Sequence, residues 1–208
     1  DAYRGFMAPL TSKVIKADSG EVVWDIEKLD FLNDTAPDTV NPSLWRNAQL
    51  QAISGLFEVV EGVYQIRGQS IATTFFFEGK QGVIVCDALG STESAKAAME
   101  LYYNHRPRKP VSAIIISQSH ADHFGGIQAV LKYAADPAIP IIVPEHFTKE
   151  ALSENVLLGT IMARRAEYQF GKNIPDGPTG SVSIGIGSTM SSGTMSFGLP
   201  TFEIDNEI

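Results

Sequence analysis

The sequence has little that would cross-link it, carry it through a membrane or attract a polyanion. Cys86 is its only cysteine, so no intramolecular disulfide can form, and the redox compartment stays undecided. No apolar stretch approaches the roughly 18 residues of a membrane-spanning helix. The 16 basic and 24 acidic residues give a net charge of −8, so we expect no nucleic-acid partner.

A leader segment is also not visible. The chain begins at Asp1, without a charged start followed by an apolar segment, so we expect a signal peptide to be absent or already removed. What the chain does have is 208 residues, of which 44% are hydrophobic. That is enough to bury the core of one or two domains.

The first half of the chain changes character near residue 55. Up to that point it is rich in turns, with one short helix predicted from an N-cap at Ser43 through Gln51. Three β-rich runs follow, separated by glycine-containing turns, and they predict successive antiparallel strands. These runs cover residues 57–67, 71–78 and 82–87. A helix with Ser91 as its N-cap comes next and should end before Pro107.

The second half reads as a strand, helix, strand unit. The apolar run 111–117 does not alternate, which predicts a strand that is covered on both faces. An amphipathic helix from Ile127 to about Ala134 and an apolar strand over 139–143 follow. Thr148 should cap a longer helix reaching about Phe170, with loops rich in glycine and serine beyond Gly171.

A cluster of polar side chains stands directly after the buried strand predicted over 111–117. It comprises Gln118, His120, Asp122 and His123, followed by two glycines that allow a tight turn into the next helix. Imidazole nitrogens and a carboxylate oxygen together suit zinc, with iron or manganese also possible. The alternative is a polar loop whose His and Asp side chains only cap the following helix. The strand before the cluster and the helix after it favour the metal site.

This cluster resembles the His-x-His-x-Asp-His signature of the metallo-β-lactamase superfamily. In that signature the first two histidines hold one metal, and the aspartate and last histidine hold a second. Gln118 stands at the first histidine position, and its amide oxygen is a weak ligand, so the resemblance implies a better second-metal position than first. Three explanations stay open: an active site with one metal, a non-catalytic member, or an engineered His to Gln change.

Flanking segments look like the alkylsulfatase branch, the type III sulfatases. They are residues 41–46, 55–59, 64–68, 153–156 and 164–171, and the similarity covers roughly residues 40–190. The resemblance implies zinc-dependent hydrolysis of alkyl sulfate esters such as dodecyl sulfate, one or two zinc ions per complete site, a homodimer, and a periplasmic or secreted location. Asp87 resembles the superfamily aspartate that orients a ligand imidazole, and the alternative is a polar residue at the end of a strand.

The resemblance also implies the fold, an α/β (α+β) metallo-β-lactamase-like αββα sandwich, of which this chain would supply the first half only. Residues 1–55 would be an N-terminal extension and residues 56–208 the N-terminal part of the lactamase-like domain. The family completes its site with two acidic residues and one histidine, which we expect beyond Ile208. Half a sandwich leaves a sheet face uncovered, so we expect residues 1–208 not to fold autonomously.

Other functions remain compatible with these residues. A non-catalytic binding or scaffold protein would explain Gln118, and the same half-site would also suit a lactonase, a thioesterase or a lactamase. Further candidates are weaker: His105, His146 and Glu145 are expected on the surface, Arg164 and Arg165 on a solvated helix face, and Tyr168 in the core.

Overall fold

The computed structural model describes residues 1–205, and its central element in that range is a mixed sheet of eight strands. The strands lie in the order β1-β4-β5-β6-β7-β8-β9-β10, antiparallel from β1 to β7 and parallel from β7 to β10. Their bounds are Phe6–Ala8 (β1), Gly55–Val60 (β4), Val63–Arg67 (β5), Thr74–Glu78 (β6), Val83–Cys86 (β7), Val111–Ile115 (β8), Ile141–Pro144 (β9) and Phe202–Ile204 (β10). A separate hairpin pairs β2, Val14–Lys16, with β3, Val22–Asp25.

Six α-helices occupy the described residues. They are Pro42–Gln51 (α1), Thr92–His105 (α2), Ala121–Phe124 (α3), Ile127–Leu131 (α4), Phe147–Leu152 (α5) and Gly159–Phe170 (α6). A 3₁₀ turn spans Glu27–Asn33, and a π-helical turn spans Ser153–Leu157. None of the helices within residues 1–205 has the length and apolar character that a membrane span requires.

One face of the sheet packs against α2 and α4 and forms the main core. Alternate strand residues such as Val83 and Val85 point into this core, together with Ala98 and Met99 of α2 and Val130 of α4. Ser91 caps α2 as predicted, because its side chain accepts a hydrogen bond from the Ser94 N–H. The α/β class and the half-sandwich sheet are therefore confirmed.

The first 55 residues contribute to this architecture in two ways. Strand β1 extends the main sheet beside β4, and a second hydrophobic cluster forms around Trp24 and Trp45. The Trp24 indole N–H donates to the Gly68 carbonyl at 2.8 Å, which ties the β2–β3 hairpin to the end of β5. The domain division at residue 55 stays a prediction.

Two sequence predictions near the start of the sheet are wrong. The run 57–67 is not one strand, because Gly62 adopts a positive φ of 81° and turns the chain between β4 and β5. The N-cap of α1 is Asn41 rather than Ser43, since the Asn41 side chain accepts from the Ser43 N–H. Pro42 then takes the first helical position, where its missing N–H costs nothing.

The helix predicted from Thr148 to Phe170 also differs. It begins after His146, which has a left-handed backbone, and a π-helical turn interrupts it where the Leu158 N–H donates to the Ser153 carbonyl. Tyr168 is 86% exposed rather than in the core. The C-terminal stretch, predicted to be loop, contains strand β10, which pairs with β9 through contacts distant in sequence.

Strand β8 is buried on one face only, so the prediction that it is covered on both faces is wrong. On the opposite face, partly exposed apolar side chains lie side by side across four strands, as the register of β6 to β9 shows. We call this set the open sheet face; it comprises Phe75, Phe77, Ile84, Cys86, Ala113, Ile115 and Ile142. A continuous apolar surface of this kind marks a site of contact with another layer of protein.

We therefore expect residues 1–208, expressed alone, to bind a hydrophobic dye such as anilinonaphthalene sulfonate and to unfold without a sharp thermal transition. Phe77→Gln should lower dye binding because it removes apolar surface from the open sheet face. Val22→Gln, at a residue that is 49% exposed against 39% for Phe77 but lies on the β2–β3 hairpin, should lower it much less. A sharp, reversible transition without dye binding would contradict this expectation.

A partly buried ion pair joins the sheet to the end of α2. Arg106 donates to both carboxylate oxygens of Glu78, at 2.7 and 2.8 Å, and the Tyr102 hydroxyl donates at 2.8 Å. The Arg106 guanidinium also lies over the Tyr64 ring, 4.4 Å from its centroid. The hydrogen bonds from Arg106 hold the pKa of Glu78 below its usual range, against the opposing effect of burial.

Glu78→Gln should therefore destabilise the folded protein by about 2–3 kcal/mol at pH 7, because it leaves Arg106 without its charged partner. A carboxyl whose pKa is lower in the folded state contributes its stability above the unfolded pKa. That stability is lost as the pH falls through the folded value. Urea unfolding of the full-length protein, as wild type and as Glu78→Gln, should give free energies that differ most near neutral pH and converge in acid. A difference independent of pH would argue against the ion pair.

Candidate metal centre

The candidate site lies at the carboxyl ends of β7 and β8, which are parallel neighbours and so bring their following loops together. Asp87 follows β7 and has a positive φ of 62°, a conformation that non-glycine residues rarely adopt. Its N–H donates to the Ile115 carbonyl at 2.8 Å. The Ala88 N–H donates to the His123 carbonyl at 2.6 Å, which fixes the two loops against each other.

Asp87 connects the two loops through its carboxylate. Oδ1 accepts from the Ser117 N–H at 2.7 Å, and Oδ2 accepts from the Ser117 hydroxyl at 2.7 Å. Oδ2 also lies 2.8 Å from His123 Nδ1. Asp87 is 5% exposed, so these bonds satisfy a buried charge. Because Nδ1 of His123 faces the Asp87 carboxylate, Nδ1 carries a proton and donates it to Oδ2. Nε2, on the other side of the ring, faces the cleft.

At Nε2, His123 meets two other residues of the predicted cluster. Asp122 Oδ2 lies 3.3 Å away, and the side-chain nitrogen of Gln118 lies 2.9 Å away. Burial lowers the pKa of His123, but its bonds to Asp122 and Asp87 outweigh burial and raise the pKa to about 9. Burial raises the pKa of Asp122, but the contact with His123 outweighs burial and lowers the pKa below its usual range.

Gln118 therefore contacts the ring nitrogen of His123 that faces the cleft. A protonated ring donates from Nε2, which requires the amide oxygen of Gln118, rather than its nitrogen, to face the ring. Either orientation places a neutral amide next to Asp122 and His123. A metal ion binding to Nε2 has to displace this contact and the ring proton.

His120 does not join the other three residues. Its side chain is 58% exposed, and Nε2 lies 3.7 Å from Glu154 Oε2. Within residues 1–205, no three His, Cys, Asp or Glu side chains converge closely enough to hold a metal ion. The structure thus brings Asp122, His123, Gln118 and Asp87 together and leaves His120 facing a different segment. His146, 67% exposed, lies on the surface as expected.

The two glycines after the cluster are needed for close packing. A side chain at Gly125 would overlap the Gly90 carbonyl, and one at Gly126 would overlap the Ala88 carbonyl and Ala95. Neither glycine has a positive φ. The requirement is therefore space between the loop after β7 and the loop after β8, and not backbone conformation.

A cleft of about 930 Å³ opens in front of this cluster. Its floor carries Gln118, His120, Asp122 and His123, and its walls come from β6, from α6 and from the loop 186–195. The apolar wall residues are Ile71, Phe75, Met162, Ala163, Ala166, Phe170, Ile186, Met190 and Met195, and Arg165 and Glu154 add charge. Sequence reasoning named Arg165 only as part of a solvated helix face and missed the apolar wall residues, because the walls are assembled from segments far apart in the chain.

Hydrogen bonds hold the loop 186–195 and its continuation in place. The Ser192 N–H donates to the Val23 carbonyl at 3.1 Å, and the Thr194 hydroxyl donates to Glu93 at 2.7 Å. Ser196 donates from both its N–H and its hydroxyl to the Gly125 carbonyl, each at 2.7 Å. The cleft wall is thus attached to the glycine turn of the candidate site.

Comparison with known proteins places this geometry in a family. A sequence profile described as Metallo-beta-lactamase superfamily matches residues 67–200. A linear primary-alkylsulfatase of a Pseudomonas species is 46% identical over 96% of this chain, which covers 30% of that relative. An alkyl/aryl-sulfatase of Saccharomyces cerevisiae is 41% identical over 100% of this chain and is covered to 33%.

A solved structure agrees with these sequences. The stereoselective inverting sec-alkylsulfatase Pisa1 from a Pseudomonas species superposes with a TM-score of 0.91 at 43% identity, over 99% of this chain and 33% of that chain. The chain therefore belongs to the metallo-β-lactamase superfamily. Within it, the resemblance to alkylsulfatases is confirmed, and the chain spans about a third of the length of the alkylsulfatases that it matches.

Gly126→Ala should destabilise the fold by about 2–3 kcal/mol, because the new methyl group has to displace the Ala88 carbonyl or Ala95. The matched control is Gly159→Ala in α6, where a Cβ meets nothing within 4 Å. That change should be neutral or stabilising by up to about 1 kcal/mol. Chemical unfolding of the full-length protein carrying each change measures both effects. Equal effects of the two changes would rule out the packing argument.

Proposed function

We propose that the chain is part of a zinc-dependent hydrolase of alkyl sulfate esters. The observation that carries the proposal is the group formed by Asp87, His123 and Asp122 at the floor of an apolar cleft. The relatives named as alkylsulfatases support the substrate class. The whole protein's activity rests on this similarity and on the chemistry of the site.

The residues present fit one cation better than two. Asp122 and His123 offer an oxygen and a nitrogen 3.3 Å apart, a donor set that suits zinc. Asp87 would orient the His123 ring, as a carboxylate behind a metal-binding histidine commonly does. Gln118 would be a weak ligand, and His120 would take part through Nδ1 with its Nε2 beside Glu154. Bound zinc supplies Lewis acidity and lowers the pKa of its water to about 7.

The chain's own residues would bind and orient the substrate. An alkyl tail would lie along the apolar walls, where Met162 and Met190 provide flexible side chains that adapt to different chain lengths. Arg165 brings a cation to the same cleft and would attract the sulfate group. Burial of each methylene of the tail would contribute about 0.8 kcal/mol. The expected homodimer stays a prediction.

A second candidate function is a non-catalytic binding protein. Gln118 at the position of a metal-ligating histidine favours it, as does the outward position of His120. The two candidates differ in whether the full-length protein binds zinc.

Full-length protein purified without chelator should contain zinc by mass spectrometry and should release the alcohol from dodecyl sulfate. Asp122→Asn and His123→Gln should each remove most of the metal, because each deletes a donor of the proposed site. His146→Gln, which removes an exposed histidine outside the cleft, should leave metal and turnover unchanged. Zinc no higher than in a denatured control would favour the binding protein.

Gln118→His should increase the zinc content per chain, because an imidazole at this position binds zinc more strongly than an amide. Metal content and dodecyl sulfate turnover are measured on the same preparation. If the variant gains neither, Gln118 is not what limits the site.

A further inference from the structure

Each histidine of the cluster lies beside a carboxylate from another segment of the chain. For His123 the carboxylate is Asp87, which contacts Nδ1 and leaves Nε2 to the cleft. For His120 it is Glu154, whose Oε2 lies 3.7 Å from Nε2. The two pairs use opposite ring nitrogens. A metal-binding histidine generally donates its other ring N–H to a carboxylate or carbonyl, which fixes the tautomer and the ring orientation.

His120 has little else to orient it. It precedes α3 at the N-cap position, but its side chain makes no capping bond to that helix. More than half of its side chain is exposed. Glu154 is more enclosed, with 28% of its side chain exposed, and it lines the same cleft as Gln118, Asp122 and His123. The carboxylate is therefore the better-fixed member of the pair.

The backbone around Glu154 places it toward the cleft. Glu154 lies in the π-helical turn between α5 and α6, where the Leu158 N–H reaches the Ser153 carbonyl at 2.9 Å. The Asn155 side chain donates to the Ala151 carbonyl at 2.9 Å and holds the turn against α5. A π-helical turn adds one residue to a helix and shifts the direction of its side chains, and such turns are frequent at functional sites.

We propose that Glu154 is a positioning residue for His120: its carboxylate accepts a hydrogen bond from Nε2–H and so leaves Nδ1 free to bind the metal. This inference rests on the proposed metal site and assigns a role to the segment Ser153–Val156, which the candidate site itself does not use. The 3.7 Å separation is within ion-pair range and about 0.5 Å longer than a hydrogen bond, so the proposed bond requires a small approach of the two side chains.

The test uses zinc affinity of the full-length protein, measured by competition with a chromogenic chelator. Glu154→Gln should weaken zinc binding by about 10- to 100-fold, the usual effect of losing the partner of a ligand histidine. Glu154→Asp should recover part of the loss. Glu145→Gln is the matched control, because Glu145 lies 3.3 Å from His146 in another exposed Glu–His pair outside the cleft. It should leave zinc affinity unchanged.

A double-mutant cycle separates positioning from a general effect on folding. If Glu154 acts through His120, Glu154→Gln should have no further effect in a His120→Ala background. The visible absorption of the Co²⁺-loaded protein gives a second readout, since its bands report the ligand geometry and should shift in Glu154→Gln. The thermal stability of metal-free Glu154→Gln should equal that of the metal-free control variant Glu145→Gln.

Three outcomes would overturn the inference. Unchanged zinc affinity and an unchanged cobalt spectrum in Glu154→Gln would show that the Glu154–His120 ion pair has no effect on the metal site. Additive losses with His120→Ala would show that Glu154 acts through another group. If the wild-type protein binds no zinc, the proposed function fails together with this inference. If the wild-type protein binds zinc and Glu154→Gln binds it equally well, only this inference fails.

Discussion

The structure of the candidate site depends on the buried carboxylate of Asp87. It accepts hydrogen bonds from the backbone and side chain of Ser117 and contacts the His123 ring, so one side chain joins the loop after β7 to the loop after β8. Such a buried charge is stable only when its oxygens are satisfied. The left-handed backbone of Asp87 is the cost of this arrangement, and the surrounding bonds maintain it.

Close packing of the two loops follows from the same constraint. Gly125 and Gly126 leave no room for a side chain against Gly90, Ala88 and Ala95, so the loop after β8 lies directly on the start of α2. Ser196 then ties the loop that follows the cleft wall to the Gly125 carbonyl. A change at either glycine would therefore alter the position of the donors and the shape of the cleft together.

Gln118 is the residue that distinguishes this site from the superfamily signature. In the superfamily signature this residue is a histidine, whereas here a neutral amide contacts the nitrogen of His123 that faces the cleft. Asp122 Oδ2 lies 3.3 Å from His123 Nε2, in ion-pair range. A metal ion that binds at these residues would replace that pair and the amide contact with metal–ligand bonds. Its affinity therefore depends on the difference in free energy between these two sets of contacts. His120 faces Glu154 through Nε2, whereas His123 faces Asp87 through Nδ1, so the two histidines leave different ring nitrogens free.

The strand-loop-helix context of the cluster, the candidate donors and the family could all be predicted from the amino-acid sequence, because these depend on residues that are neighbours in the chain. The sequence also located α2 and its Ser91 cap. It did not locate the N-cap of α1, the hairpin at Gly62 or the π-helical turn, since each depends on one local hydrogen bond or torsion that several residues could supply. The folded structure was needed to show that His123 is the imidazole that Asp87 holds, that His120 faces Glu154 and that β6, α6 and residues 186–195 form one cleft. These contacts join segments 30 or more residues apart, and the pairing of parallel strands, rather than any local pattern, brings them together.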